Sequence, residues 1–97
     1  METLAEAIAR LEALGFRDSF APSTGGLRAL SAGRLFSPAE LMVEEVVRFE
    51  GESDPSEQAI LFALRSSAGD VRGTFVAGYG ALTDPARAEI VRGLARR

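Results

Sequence analysis

The stretch Ala59-Ile60-Leu61-Phe62-Ala63-Leu64-Arg65 is apolar at every position up to its closing arginine. In an extended strand successive side chains point to opposite faces. Ile60, Phe62 and Leu64 then share one face, and Ala59, Leu61 and Ala63 share the other. A short run that is apolar on both faces reads as a central strand, covered on both sides of its sheet.

Its neighbours read as strands of a different kind. Upstream, Val43 to Glu50 places Val43, Val47 and Phe49 on one face and Glu44, Val46, Arg48 and Glu50 on the other, with Glu45 interrupting the apolar face. Downstream, Ser66-Ser67-Ala68-Gly69-Asp70 forms a hairpin loop. It leads into Val71 to Tyr79, where Val71, Phe75, Ala77 and Tyr79 alternate with Arg72, Thr74 and Val76. The links are short. Parallel strands need a crossover of a dozen or more residues, so the three strands are expected to run as an antiparallel meander.

Helices are expected at the two ends. Over residues 3–14, Leu4, Ile8 and Leu11 recur at helical spacing, with Ala7 and Leu14 widening the stripe. Thr3 and Glu6 have the spacing of a capping box, and Gly15 stands where a helix stops. A second helix is expected from Asp84-Pro85, with Ile90 and Leu94 on its apolar stripe. Ser37-Pro38-Ala39-Glu40 carries the same cap, proline and glutamate pattern in front of the first strand. It has room for a single turn. Asp54-Pro55-Ser56-Glu57 repeats that pattern before the second strand.

Residues 16–36 are the least regular. Phe16 and Phe20 are apolar anchors, Ala21 to Gly26 reads as a turn or mobile loop, and Leu27 to Leu30 could form a short strand. The expected fold is one α+β domain over residues 1–97. Its antiparallel sheet has three or four strands, with an N-terminal and a C-terminal helix packed on one face. The expected core is Leu4, Ile8, Leu11, Val47, Phe49, Ile60, Phe62, Leu64, Phe75, Ile90 and Leu94. The second face of the central strand must also be covered. Either residues 16–36 fold over it, or a second copy of the chain does.

Composition removes several kinds of chemistry. The chain has 97 residues, a formal charge of -3 and neither cysteine nor histidine. All 11 basic residues are arginine. Disulfides, thiolate metal sites, imidazole proton transfer and lysine Schiff bases are therefore excluded. The dispersed arginines and acidic balance argue against nucleic-acid binding. No stretch approaches the roughly 20 apolar residues of a membrane span, and the acidic start is unlike a signal peptide, so a cytoplasmic location is expected.

Four residues are candidates for ligand binding. Arg48 and Glu50 share a strand face, where they could hold a polar ligand or simply pair with each other. Asp54 lies in the densest polar segment, Glu50 to Glu57. That segment could offer oxygens to a divalent cation, although capping of a turn is the commoner use of such residues. Tyr79 stands between Gly78 and Gly80, which can admit a close ligand or simply end a strand. The Gly25-Gly26 pair after Ser23-Thr24 lacks the spacing and the lysine of a phosphate loop.

Three segments together, Glu45 to Pro55, Ala59 to Leu64 and Ala77-Gly78-Tyr79-Gly80, resemble a family of bacterial proteins of about this length. Some of its members carry the label phosphoribosylpyrophosphate synthetase. The likeness covers most of the chain and is weakest over 21–36. The true synthetases are built from phosphoribosyltransferase-like domains, in which an acidic pair follows an apolar strand and leads into a phosphate loop. Here Glu44-Glu45 precedes the apolar residues instead, so the resemblance implies a family and not that activity.

The features support a non-enzymatic interaction or small-ligand-binding module that needs no cofactor, with self-association through the second sheet face as one way to cover it. The alternative is a phosphate- or nucleotide-linked activity using Arg48, Glu50, Asp54 and a magnesium ion.

Overall fold

The computed structural model describes residues 2–49 and 59–78, together with 93, 95 and 96. A helix, α1 (Leu4–Ala13), is followed by β1 (Asp18–Ser23), β2 (Gly26–Ala29), β3 (Arg34–Phe36), β4 (Leu41–Phe49), β5 (Ala59–Ser66) and β6 (Arg72–Gly78). These six strands form a mixed, mostly antiparallel sheet in the order β3-β2-β1-β6-β5-β4. A two-residue β7 (Ala95–Arg96) lies parallel to β4 at the far edge.

The expected meander is present: β4 pairs with β5 and β5 with β6, all antiparallel. The expectation of only three or four strands is corrected by residues 16–36, which supply three more. Two hairpins join β1, β2 and β3, and β1 then runs parallel to β6 through Asp18↔Gly73 and Ser19↔Thr74. Among the described residues α1 is the only α-helix that covers the sheet. The helix expected from Asp84-Pro85 lies outside them.

Local chemistry sets the limits of α1. The Thr3 hydroxyl accepts from the Glu6 backbone N–H at 3.1 Å, and the Glu6 carboxylate accepts from the Thr3 N–H at 2.9 Å. At the other end Gly15 takes φ 105°, the left-handed region that glycine enters without steric cost. The Phe16 N–H then reaches back to the Leu11 carbonyl, and the Gly15 N–H to that of Glu12, satisfying carbonyls that the helix leaves free. At the short 3-10 helix Pro38–Glu40 the Glu40 carboxylate accepts from the Ser37 N–H at 2.9 Å and from the Ser37 hydroxyl at 3.0 Å, and the Glu40 N–H donates to the Ser37 carbonyl.

The β4–β5 register shifts between Val43 and Glu45, marking a β-bulge at Glu44. A bulge inserts one residue and so exchanges the faces beyond it. Val43, opposite Leu64, packs with Leu41, Phe62 and Phe75. Val47, opposite Leu61, packs with α1, as does Phe49. The expectation that Val43, Val47 and Phe49 share a face is therefore corrected. The Glu44-Glu45 doublet is where the alternation breaks.

Both faces of β5 are covered within the chain. Leu61 and Ala63 pack against Ala7 and Leu11 of α1, with Leu4, Ile8, Phe16, Val47 and Phe49 partly buried around them. Ile60, Phe62 and Leu64 join Phe75 and Ala77 of β6 and the inward residues Phe20, Leu27, Ala29 and Phe36 of β1–β3. Residues 16–36 thus contribute to burying that face of β5. Phe62 and Phe75 face each other across the strands with ring centroids 6.0 Å apart. Of the expected core, Ile90 and Leu94 lie outside the described residues. Leu27, Leu41 and Leu61 are fully buried members that the expected list lacks.

Two glycines let backbones approach. A β-carbon at Gly73 would fall on the Asp18 backbone carbonyl, so the parallel β1–β6 seam requires the absence of a side chain there. A β-carbon at Gly26 would fall on the Phe36 carbonyl where β3 returns.

Candidate functional site

Of the four candidates read from the sequence, only Arg48 lies among the described residues. It is exposed on β4, opposite Ile60 and beyond the bulge. Glu50, Asp54 and Tyr79 lie outside the described residues. Among the described residues no three acidic side chains come together as a metal would need. Gly25 and Gly26 serve the β1–β2 hairpin, with φ 90° at Gly25 in its two-residue turn.

The structure draws attention elsewhere, to the α1 face of the sheet just past the end of the helix. A groove of about 500 Å³, open to solvent, is lined there by Phe16, Glu44, Arg65 and Arg72. Each comes from a distinct feature of the chain. The Gly15 stop ends α1 and brings Phe16 against the helix cluster. Glu44 is the bulge residue of β4. Arg65 and Arg72 stand directly opposite each other on β5 and β6. They share the face of Leu61, Ala63 and Thr74, because 65 and 72 continue that alternation.

Like charges directly opposite on neighbouring strands repel. Here one carboxylate offsets part of that repulsion: the Arg65 Nε donates to Glu44 Oε1 at 2.5 Å, with the two side chains 21% and 14% exposed. At that degree of shielding the pair is held more firmly than a solvated surface pair. The remaining Arg65 nitrogens have weaker partners: one lies 3.3 Å from the Met42 sulfur and the other 3.4 Å from the Ser66 carbonyl oxygen. Arg72 is exposed and has no hydrogen-bond or ion-pair partner among the described residues. A β-carbon on Gly15 would sit 3.6 Å from an Arg72 terminal nitrogen, so that guanidinium lies beside the C-terminal end of α1. The free carbonyls and dipole of a helix C-terminus favour a cation.

Arg72 also lines a second hollow of about 400 Å³, shared with Arg17, Asp18 and Asp70. Its two carboxylates are committed to structure. Asp18, buried, accepts from the backbone N–H groups of Ser19, Ser31 and Ala32 at 2.7, 2.8 and 3.0 Å, holding the turn between β2 and β3. Asp70 accepts from the Ser66 hydroxyl at 2.7 Å and from Arg34 at 2.6 Å. These bonds, that of Ser66 foremost, hold its carboxyl below the ordinary value of 3.8.

The groove can therefore hold an anion. It presents one guanidinium that is already paired, one that is not, and an aromatic wall. The signal that could have located it is the hairpin itself, since a loop closed between Ser66 and Val71 places Arg65 opposite Arg72. The bulge that turns Glu44 toward Arg65 carries no such signature.

No protein-family model, curated protein or solved structure matches this chain.

Proposed function

We propose that the protein is a non-enzymatic small-ligand-binding module, and that the groove between Phe16 and the Arg65–Arg72 pair takes an anionic group of its ligand. The observation that carries this reading is the cross-strand register. Two arginines face each other across β5 and β6, and the described carboxylate that pairs with Arg65 comes from β4, on the side away from Arg72, so a further anion beside Arg72 would relieve their repulsion. The volume suits a small molecule, since ligand pockets commonly span about 300–1,000 Å³. Phe16 adds an apolar surface on one side. Self-association through the second face of β5 has less support, because β1–β3 occupy that face.

The test is a titration of small anions at low salt, followed by amide and arginine-Nε NMR shifts. A saturable change confined to Phe16, Glu44, Arg65 and Arg72 is expected, weakened about tenfold or more in Arg72→Gln, as loss of a charged hydrogen bond implies. Shifts that are unsaturable, or spread over Arg17, Arg28 and Arg48 alike, would end this reading in favour of nonspecific screening.

A further inference from the structure

Taking the anion-binding reading of the groove as its premise, we infer that the site does not end at Arg72: the ligand carries two anionic groups, and Arg17 holds the second in the adjoining hollow. Arg72 lines both depressions, so its guanidinium is the wall they share. The chain leaving α1 follows the same boundary. Phe16 lines the groove, while its neighbours Gly15 and Arg17 line the hollow. A ligand seated against Phe16 and Arg72 therefore has to pass one side chain to reach Arg17.

The bonds already made in the hollow indicate which charge it can still receive. Asp18 accepts three backbone N–H bonds, and Asp70 accepts from the Ser66 hydroxyl and from Arg34. Arg17 and Arg72 are exposed, and neither has a hydrogen-bond or ion-pair partner among the described residues. Carboxylates bonded in this way offer little to an incoming cation. A guanidinium with free N–H donors binds anionic oxygen, whether of a carboxylate or of a phosphate. Two anchors on one ligand also make the second contact intramolecular, so a linked pair of weak contacts binds far more tightly than either alone.

In the test, unbranched dicarboxylates from malonate to suberate are titrated into the full chain at low salt, each beside the monocarboxylate and the ω-amino acid of the same chain length. Calorimetry gives the affinities, and arginine-Nε NMR shifts give the place of binding. The best-fitting dicarboxylate is expected to bind at least about tenfold more tightly than its monocarboxylate, moving the Arg72 and Arg17 signals together and leaving those of Arg28 and Arg48 still. In Arg17→Gln, folded by its amide spectrum, that advantage should fall to about twofold, the factor that two equivalent ends supply by themselves. An advantage of no more than about twofold in the parent protein, or one that survives in Arg17→Gln, would overturn the extended site and leave the anion-binding reading standing wherever the groove still responds. Tighter binding of an ω-amino acid would also overturn it, since the hollow would then be receiving a cation at Asp18 and Asp70. No response of the groove to any probe would overturn both.

Discussion

Replacing Asp18 with alanine tests how the turn between β2 and β3 is held against β1. The carboxylate accepts three backbone N–H bonds, one from its neighbour Ser19 and two from Ser31 and Ala32 across the β2–β3 turn. A hydrogen bond to a charged group contributes roughly 1.5–3 kcal/mol net. The three do not add, because Ser31 and Ala32 are exposed and water can replace the lost acceptor at both. The expected cost of Asp18→Ala is therefore near that of a single such bond, about 2 kcal/mol. For a domain of this size that lowers the thermal midpoint by roughly 8–16 °C. Asp18→Asn keeps one acceptor oxygen but turns an NH2 group toward a backbone donor, and should cost about half as much. Urea titration provides the measurement, with a lower midpoint at unchanged slope expected for both variants. An alanine variant within about 0.5 kcal/mol of the parent would show that the turn does not depend on the carboxylate.

Four further outcomes follow from the same structure. Gly73→Ala drives a β-carbon into the Asp18 backbone, which cannot yield as a side chain would; a loss of at least about 2 kcal/mol is expected by urea titration, and a neutral result would contradict the close β1–β6 seam. Glu44→Gln leaves the Arg65 Nε with a neutral partner in a shielded site and should cost about 1–2 kcal/mol by the same method. Arg72→Gln removes both the repulsion from Arg65 and the favourable placement beside the α1 C-terminus, effects of similar size and opposite sign. Its unfolding free energy by urea titration should stay within about 0.5 kcal/mol of the parent, so lost ligand binding cannot be assigned to unfolding. Acid should weaken the fold through Asp70 and Glu40, whose carboxyls are held below 3.8 and 4.5 by Ser66 and by the Ser37 N–H and hydroxyl respectively. A depressed native pKa gives stability that is complete above the unfolded value and lost as pH falls through the native one. Urea midpoints should therefore drop between about pH 5 and pH 3, and by less in Asp70→Asn.

How far the fold can be read from residues depends on how each segment is stabilised. The strands β4, β5 and β6 announce themselves through apolar alternation or a two-sided apolar run, and α1 through Thr3, Glu6 and Gly15. These are local signals, and the structure places those elements within two residues of the expectation. Residues 18–36 follow a different logic. The strand β3 spans three residues, and Pro22 and Ser23 sit in β1, so no alternation long enough to read survives. Their strand character comes from pairing, through the two hairpins and the Gly73 seam far along the chain. The Glu44 bulge is hidden for a similar reason: the doublet shows that alternation fails, but which residue is extra depends on the β5 register. The candidate groove inherits both obscurities. It is assembled from a helix stop, a bulge and a cross-strand pair, and none of its residues stands out alone.

The parallel seam between residues 18–19 and 73–74 also bears on how the chain is made. Synthesis runs from the N-terminus, so α1 and β1–β3 leave the ribosome well before β6, the strand that receives β1. Until then Phe20, Leu27 and Phe36 have no β5 or β6 residues to pack against, and the two hairpins present an apolar surface with an open edge. The nascent chain should pass through a window in which its first third invites chaperone binding or pairing with another nascent chain. That window closes only when translation reaches the last strand of the meander.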